Sequence, residues 1–370
     1  MSPTYKILVV DARMVNASGI GTDIQNLLPY LKNNFAITLL GDPEELMQFP
    51  WVVGLKIIKF DKPIYSIAEQ VLLPLVVPTC DFFFSPHFNV PMLPVRAAKR
   101  VVLIHDLYHL AATAINPIHR LYARVLLQSS IRLSDTIITI SEFSRSEMKK
   151  YLKIRNKQVH KISLGVDHNR YHRKQDAAVV KEVQEKYTLP AEFVLFVGNV
   201  KPHKNLKNLV LAFSKLNKAQ FPDLKLVIVG KKEGFITGDK GLPDLIEKLG
   251  LGPRVLFTGF VDNAHLPVIY TLATVFVFPS LYEGFGLPPL EAMASGCPTV
   301  VSKAASMPEV CQDACLYFDG ENPDDMAETL DRVLQDAGLR ETLAKKGLEL
   351  AKQYTWEKSA AELRDFILHH

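Results

Sequence analysis

Short runs of β-branched and aromatic residues recur along this chain, spaced so that one helix fits between most neighbours, and this alternation restricts the fold more than any other feature. In the first half the runs are Tyr5–Asp11, 36–40, 56–60, 81–85, 100–104 and 136–140, with helical periodicity over 64–76 and 118–133. A second series follows at 193–197, 224–230, 255–257, 274–278 and 298–302, with a helix expected over 206–216. Runs such as FVLFV and TVFVF have no polar alternation, which is the pattern of strands buried on both faces of a parallel sheet. Strands alternating with helices predict α/β architecture with helices on both faces. With 370 residues the chain is long enough for two such domains. The polar, broken segment LGVDHNRYHRKQD reads as a linker and separates a domain over 1–168 from one over 169–354. From about residue 324 the chain reads as helical, and a last helix over 355–370, opened by Trp356, is expected to pack back on the first domain. The halves share a layout without repeating sequence, so two doubly wound, Rossmann-like domains facing a central cleft are expected.

The stretch PSLYEGFGLPPLE, Pro279 to Glu291, carries the most chemistry. It follows an apolar strand, turns through Gly284 and Gly286, and enters a helix at Pro288 and Pro289, where missing N–H groups cost least. Free backbone N–H groups of Gly284, Phe285, Gly286 and Leu287 at a helix start suit an anion. Glu283 at the loop entrance and Glu291, expected in the first helical turn, have seven residues between them. Each carboxylate can accept two sugar hydroxyls, so the pair can grip polyol groups on either side of a bound phosphate.

A second loop, GNVKPHKN, ends the first strand of the same domain and offers Asn199, Lys201, His203 and Lys204. Cations there would meet a diphosphate. Near the start, Gly19-Ile20-Gly21 is expected in a loop between strand and helix, but the G-x-G-x-x-G spacing is missing, which weakens a nicotinamide reading. The two glycines either bring backbone near a ligand or make a plain tight turn. His87 and His105 lie at predicted strand ends, where a histidine can serve as base, hydrogen-bond donor or cap.

Net charge is +4, but residues 1–170 hold 20 Lys and Arg against 13 Asp and Glu. That bias suits phosphate-rich or membrane-surface partners as well as it suits an ordinary solvated surface. The 118–133 segment is apolar at helical spacing with Arg120, Arg124 and Arg132 interspersed. It either rests on anionic lipid or is a core-facing helix with a solvated polar face. No run reaches the ~18 apolar residues of a membrane span and no signal peptide is visible, so a cytoplasmic protein is expected. Four scattered cysteines suit a reducing compartment; Cys311 and Cys315 could share a helix face, without a second ligand pair to suggest metal.

With these residues in view, the chain resembles a family 4 glycosyltransferase of the two-Rossmann GT-B type. The resemblance runs over nearly its whole length: EGFGLPPLE followed by GCPTVVSKAASMPEV, GNVKPHKN, Asp11-Ala-Arg with GIG, HDLYHL at 105 and Ser141-Glu-Phe-Ser-Arg. It implies that Glu283 lies beside the transferred sugar and Glu291 holds the ribose, with Gly284 to Leu287 against sugar and phosphates. It makes Lys204 the lysine that neutralises the leaving diphosphate, His105 a histidine facing the sugar, and Gly19 and Gly21 a loop approaching the same place. Glu283, His105 and Lys204 are thus the catalytic candidates. The family usually carries an arginine where this chain has Asn199, so Lys201 or His203 is expected to supply that charge. The resemblance implies retention of configuration, no cofactor and no bound metal, and a nucleotide-sugar co-substrate, GDP-mannose first and a UDP-sugar next. The expected acceptor is an oligosaccharide or lipid-linked saccharide of bacterial surface polysaccharide, reached with possible contact at the inner membrane surface, and no nucleic acid is involved. A nucleotide-sugar epimerase on the same plan and a non-catalytic nucleotide-sugar-binding subunit are the alternatives.

Overall fold

The computed structural model describes residues 5–112, 115–230 and 241–369. The chain divides into two compact units, Met1–Gly165 with Trp356–His370, and Val166–Thr355. The first is built on strands β1 (Lys6–Asp11), β2 (Phe35–Gly41), β3 (Lys56–Lys59), β4 (Cys80–Ser85), β5 (Ala97–Ile104), β6 (Thr136–Thr139) and β7 (Val159–Lys161), in the order β3-β2-β1-β4-β5-β6-β7. The second contains β8 (Phe193–Val197), β9 (Lys225–Val229), β10 (Val255–Gly259), β11 (Val275–Phe278), β12 (Thr299–Ser302) and β13 (Leu316–Phe318), in the order β10-β9-β8-β11-β12-β13. The ladders within both sheets are parallel.

Local chemistry explains these elements. Every residue of β8 and β11 is buried, as central parallel strands require. The helix Leu206–Lys215 buries Leu206, Leu209, Val210 and Phe213, an i, i+3, i+4, i+7 stripe that faces the core. Asn322 caps the helix Pro323–Gln335 by accepting from the N–H groups of Asp324 and Asp325. The helix Trp356–His369 packs on the helix Ser18–Leu31 within the first unit.

Three expectations need correction. Gly19 and Gly21 do not form a loop: they lie in the first turn of the helix Ser18–Leu31. Burial of Ile24, Leu27, Leu28 and Leu31 there outweighs the poor helix propensity of glycine. The 164–176 segment is not a free linker. Val166 donates its N–H to the Tyr354 carbonyl at 3.1 Å, and the Tyr171 ring is buried in the second unit. Cys311 and Cys315 share no helix, because Cys311 ends the helix Met307–Cys311 and Cys315 precedes β13; both are buried thiols.

Candidate active site

In each sheet the strand order reverses once, between β1 and β4 and between β8 and β11. Crossovers leave such a point in opposite directions, which opens a crevice beyond the carboxyl ends of the two strands. GNVKPHKN follows β8 and PSLYEGFGLPPLE follows β11, so the two loops singled out by sequence flank the switch point of the second unit.

Hydrogen bonds lock these loops together. The Leu281 N–H donates to the His203 carbonyl at 2.9 Å. Asn205, in a left-handed conformation at φ 61°, caps the turn and sends its amide to the carbonyls of Pro279 (3.1 Å) and Gly320 (2.6 Å). Lys204 Nζ forms an ion pair with Glu283 Oε1 and lies 5.4 Å from the centre of the Phe278 ring. The Ser280 hydroxyl donates to the same carboxylate oxygen at 2.6 Å. The Ser306 hydroxyl bridges the carbonyls of Phe285 (2.7 Å) and Glu283 (3.0 Å) and so holds the glycine loop from behind. Gly286 takes φ 110°, and a Cβ there would lie 2.4 Å from the Met307 methyl group, so the position requires glycine.

Two details of the site differ from expectation. Burial first, then the neighbouring charge of Lys204 and Lys201, pushes the His203 imidazole down to about 4 against the pull of Glu283. His203 is therefore neutral near pH 7, and the positive charge of this loop belongs to Lys201 and Lys204 rather than to His203 or Asn199. Glu291 stands one residue further into the helix than expected, just past its first turn, since the helix begins at Leu287 with Gly286 as its N-cap. The Tyr270 hydroxyl donates to Glu291 Oε2 at 3.0 Å, and the Tyr171 hydroxyl bonds the same carboxylate. Burial raises the Glu291 carboxyl above its ordinary range, while the two tyrosines and Arg170 work against that shift. Sequence reasoning missed Tyr171 and Tyr270. Nothing in VIYTL or NRYHR separates a carboxylate-holding tyrosine from an ordinary core aromatic.

The first unit has its own switch point, where Asp11 ends β1 and His87 follows β4. Arg13 binds the Asp11 carboxylate through Nε (2.8 Å) and Nη2 (2.6 Å), and also pairs with Glu69. His87 Nε2 lies 3.2 Å from Asp11, and Asn89 donates to Glu69 at 2.7 Å. Burial works to raise the Asp11 carboxyl, but hydrogen bonds from Arg13 and His87 outweigh it and hold the group well below the usual carboxylate range. The network extends to the Lys62 carbonyl and the Tyr65 N–H and buttresses the strand ends.

His105 follows β5 and uses both ring nitrogens within the unit. Nε2 donates to the Pro86 carbonyl at 2.9 Å, and Nδ1 faces Asp23 Oδ2 at 3.3 Å. Burial raises the fully buried Asp23 carboxyl well above its usual range and lowers the His105 imidazole. Neither Asp23 oxygen makes a hydrogen bond, so the carboxyl is buried unpartnered beside the imidazole. Ser144, in the helix capped by Ser141, donates to the His105 carbonyl at 2.8 Å, which gives the Ser-Glu-Phe-Ser-Arg stretch a structural purpose. A Cβ on Gly21 would lie 2.4 Å from the Val15 carbonyl oxygen, whereas one on Gly19 would meet open space. Among the described residues no group of three or more His, Cys, Asp or Glu side chains is placed to hold a metal ion.

Comparison with known proteins bears on this arrangement. Residues 180–350 match the description "Glycosyl transferases group 1", and residues 19–170 match "Glycosyltransferase Family 4". O-antigen chain mannosyltransferase B of Escherichia coli is 32% identical over 282 residues, 76% of this chain and 72% of its own length. The chain belongs to glycosyltransferase family 4. This glycosyltransferase is also 31% identical over 228 residues to the serotype-specific mannosyltransferase WbdA of Escherichia coli, covering 61% of this chain but 28% of that one. Its fold is GT-B. It superposes with a TM-score of 0.78 on Anabaena Alr3699/HepE solved with UDP-glucose, at 17% identity over 99% of this chain and all of that one. Sucrose-phosphate synthase of Thermosynechococcus elongatus gives 0.77 at 19% identity, covering 98% of each.

Proposed function

We propose that this glycosyltransferase moves mannose from GDP-mannose, with retention of configuration and without a metal, onto a saccharide or lipid-linked acceptor of surface polysaccharide. The observation that carries the reading is the clasp of Lys204 and Glu283 at the β8/β11 switch point, with Glu291 held one helical turn beyond. Lys204, Lys201 and the N–H groups of Gly284 to Leu287 supply positive potential for a diphosphate, as a helix start does for anions. Glu283 and Glu291 supply acceptors for the hydroxyls of the hexose and the ribose. The mannosyltransferases among the relatives favour mannose as the sugar. His105 and the helix start at Gly19 and Gly21 belong to the same reading as sugar- and donor-side groups.

When a diphosphate binds, Lys204 exchanges one anion for another and Glu283 becomes available to the sugar, so the pair keeps the charge compensated before the donor arrives. A carboxylate pair working as glycosidase acid and base is not part of this reading, since a Glu291 that holds the ribose lies away from the anomeric carbon. The test is transfer from labelled GDP-mannose to a saccharide acceptor pool, with excess chelator present. Wild-type protein should transfer undiminished by chelator, and Glu283→Ala should abolish transfer in a protein that still unfolds cooperatively. Product from donor alone would indicate an epimerase, and donor binding without turnover would indicate a non-catalytic subunit.

A further inference from the structure

Four aromatic rings follow one another along the first unit beside its switch point. The ring centres of Tyr65 and Phe88 are 5.9 Å apart, tilted by 36°. Phe88 meets His109 at 6.1 Å and His109 meets Tyr108 at 6.4 Å, both edge to face. Tyr65 comes after β3, Phe88 after β4, and Tyr108 and His109 after β5. Because the ladders are parallel, all four stand at the carboxyl ends of the strands, the edge at which α/β sheets take ligands. His105 belongs to the same edge, with Nε2 on the Pro86 carbonyl in the segment that leads to Phe88.

The core does not account for the whole row. Phe88 rests on the apolar cluster beneath it, but Tyr65 is 44% exposed and His109 is exposed as well. Tyr65 also takes φ 68°, a left-handed conformation that is costly for a residue with a side chain. Its N–H donates to Glu69 Oε2 at 2.8 Å, and the same oxygen accepts from the Asn89 amide, next to Phe88, at 2.7 Å. The buried Asp11–Arg13–Glu69 network therefore clamps the chain beside two rings of the row. Buried charge and strained backbone are both expensive, and they persist where a fixed surface is needed. Polar groups lie among the rings. Burial first, then Glu69, Tyr122 and Asp106, pushes the Tyr65 hydroxyl up to about 12, and burial and Asp106 raise that of Tyr108, so both keep a proton to donate near pH 7. Asp106 Oδ1 accepts the Tyr108 N–H at 2.9 Å, and a carboxylate has more acceptor sites than that bond uses.

We propose that Tyr65, Phe88 and His109 form a stacking surface for the sugar rings of the acceptor, with Asp106 and the tyrosine hydroxyls taking sugar hydroxyls at its rim. This rests on transfer to a saccharide and states how that saccharide is held. A pyranose suits such a surface, because its C–H bonds can meet the negative face of an aromatic ring while its hydroxyls reach donors and acceptors around it. An acyl chain is the poorer occupant, since it would bury the tyrosine hydroxyls and the Asp106 carboxylate without partners. Because the row continues from ring to ring, a trisaccharide should bind better than a single sugar.

The experiment is saturation-transfer NMR of the full chain with mannose, mannotriose and maltotriose, with GDP-mannose titrated by calorimetry in parallel. Saturation should pass to the ring C–H protons of a trisaccharide, more strongly than to those of mannose. Tyr65→Ala and His109→Ala should each weaken trisaccharide binding about fivefold, as loss of one aromatic contact implies, with GDP-mannose affinity unchanged. Tyr65→Phe keeps the ring and should retain most of the binding. If Tyr65→Ala folds poorly, Tyr65→Gly removes the same ring at a backbone position that favours glycine and decides by the same readout. Trisaccharide binding that needs Tyr65, in a protein that does not bind GDP-mannose, would overturn the proposed donor and leave this surface standing. The surface is overturned if neither trisaccharide receives saturation from wild type, if the variants without the ring bind as well as wild type, or if they lose GDP-mannose and trisaccharide alike.

Discussion

Tyr270→Phe is the most informative single change, because it removes one oxygen and alters no volume that matters for packing. The Tyr270 ring is fully buried, and its hydroxyl donates to Glu291 Oε2 at 3.0 Å. Hydrogen bonds to charged groups are worth about 1.5–3 kcal/mol when one partner is removed and the other left behind. Tyr171 still bonds the carboxylate, so the lower part of that range applies and the loss should be about 2 kcal/mol. In a unit of this size that lowers the melting temperature by roughly 4–8 °C. The functional consequence is separate. Burial already raises the Glu291 carboxyl, and the tyrosine hydroxyls oppose that shift. Without Tyr270 the pKa rises further, so the ionised form that accepts ribose hydroxyls is lost at a higher pH. GDP affinity, measured by calorimetry across the acid range, should be highest above the Glu291 pKa. It should fall by up to tenfold per pH unit below it, with the fall beginning at higher pH in the variant. Identical pH profiles in the two proteins would refute the ribose role of Glu291, even if the stability change appears as expected.

Other changes test separate parts of the site. Lys204→Ala should weaken GDP binding by much more than guanosine binding in the same titration, because it removes a phosphate contact; equal losses would count against that role. The same substitution leaves Glu283 without its cation and should lower stability by about 1–3 kcal/mol, read by urea unfolding. Burial raises the Asp23 carboxyl above its value of about 4 in the unfolded chain, so the folded state binds the extra proton over the window between those two pKa values. Its contribution is complete below pH 4 and is lost as pH rises towards the folded pKa. Asp23→Asn should therefore flatten the decline of stability with pH in thermal melts at a series of pH values; an unchanged slope would mean that Asp23 is ionised in the folded protein.

Much of this was legible in the chain itself. β8 was predicted and found at Phe193–Val197, because five apolar residues in a row leave no register for a half-exposed strand. β13, only Leu316–Phe318, was missed, since three residues carry no measurable period. The two site loops could be recognised by glycine, carboxylate and lysine in a strand-to-helix turn, and the fold brings Lys204 against Glu283 across a separation of 79 residues. What could not be read was partnership. Tyr171 looked like part of a polar linker, yet its ring is buried and its hydroxyl reaches Glu291. His105 could be read as base, hydrogen-bond donor or cap at a strand end, and nothing in the sequence shows that its two nitrogens face Pro86 and Asp23 of its own unit. Asp23 gave no signal, because an acidic residue among the apolar positions of a helix becomes meaningful only when the structure shows it fully buried beneath a histidine.

The central claim is that the clasped loops at the β8/β11 switch point bind a nucleotide-activated mannose. Calorimetric titration of the full chain with GDP-mannose and with UDP-glucose, in excess chelator, tests it most directly. The account predicts saturable binding of GDP-mannose, tighter than UDP-glucose, and sharply weakened by Lys204→Ala. Equal affinity for both nucleotide sugars would contradict the donor assignment, and GDP-mannose binding untouched by Lys204→Ala would contradict the site.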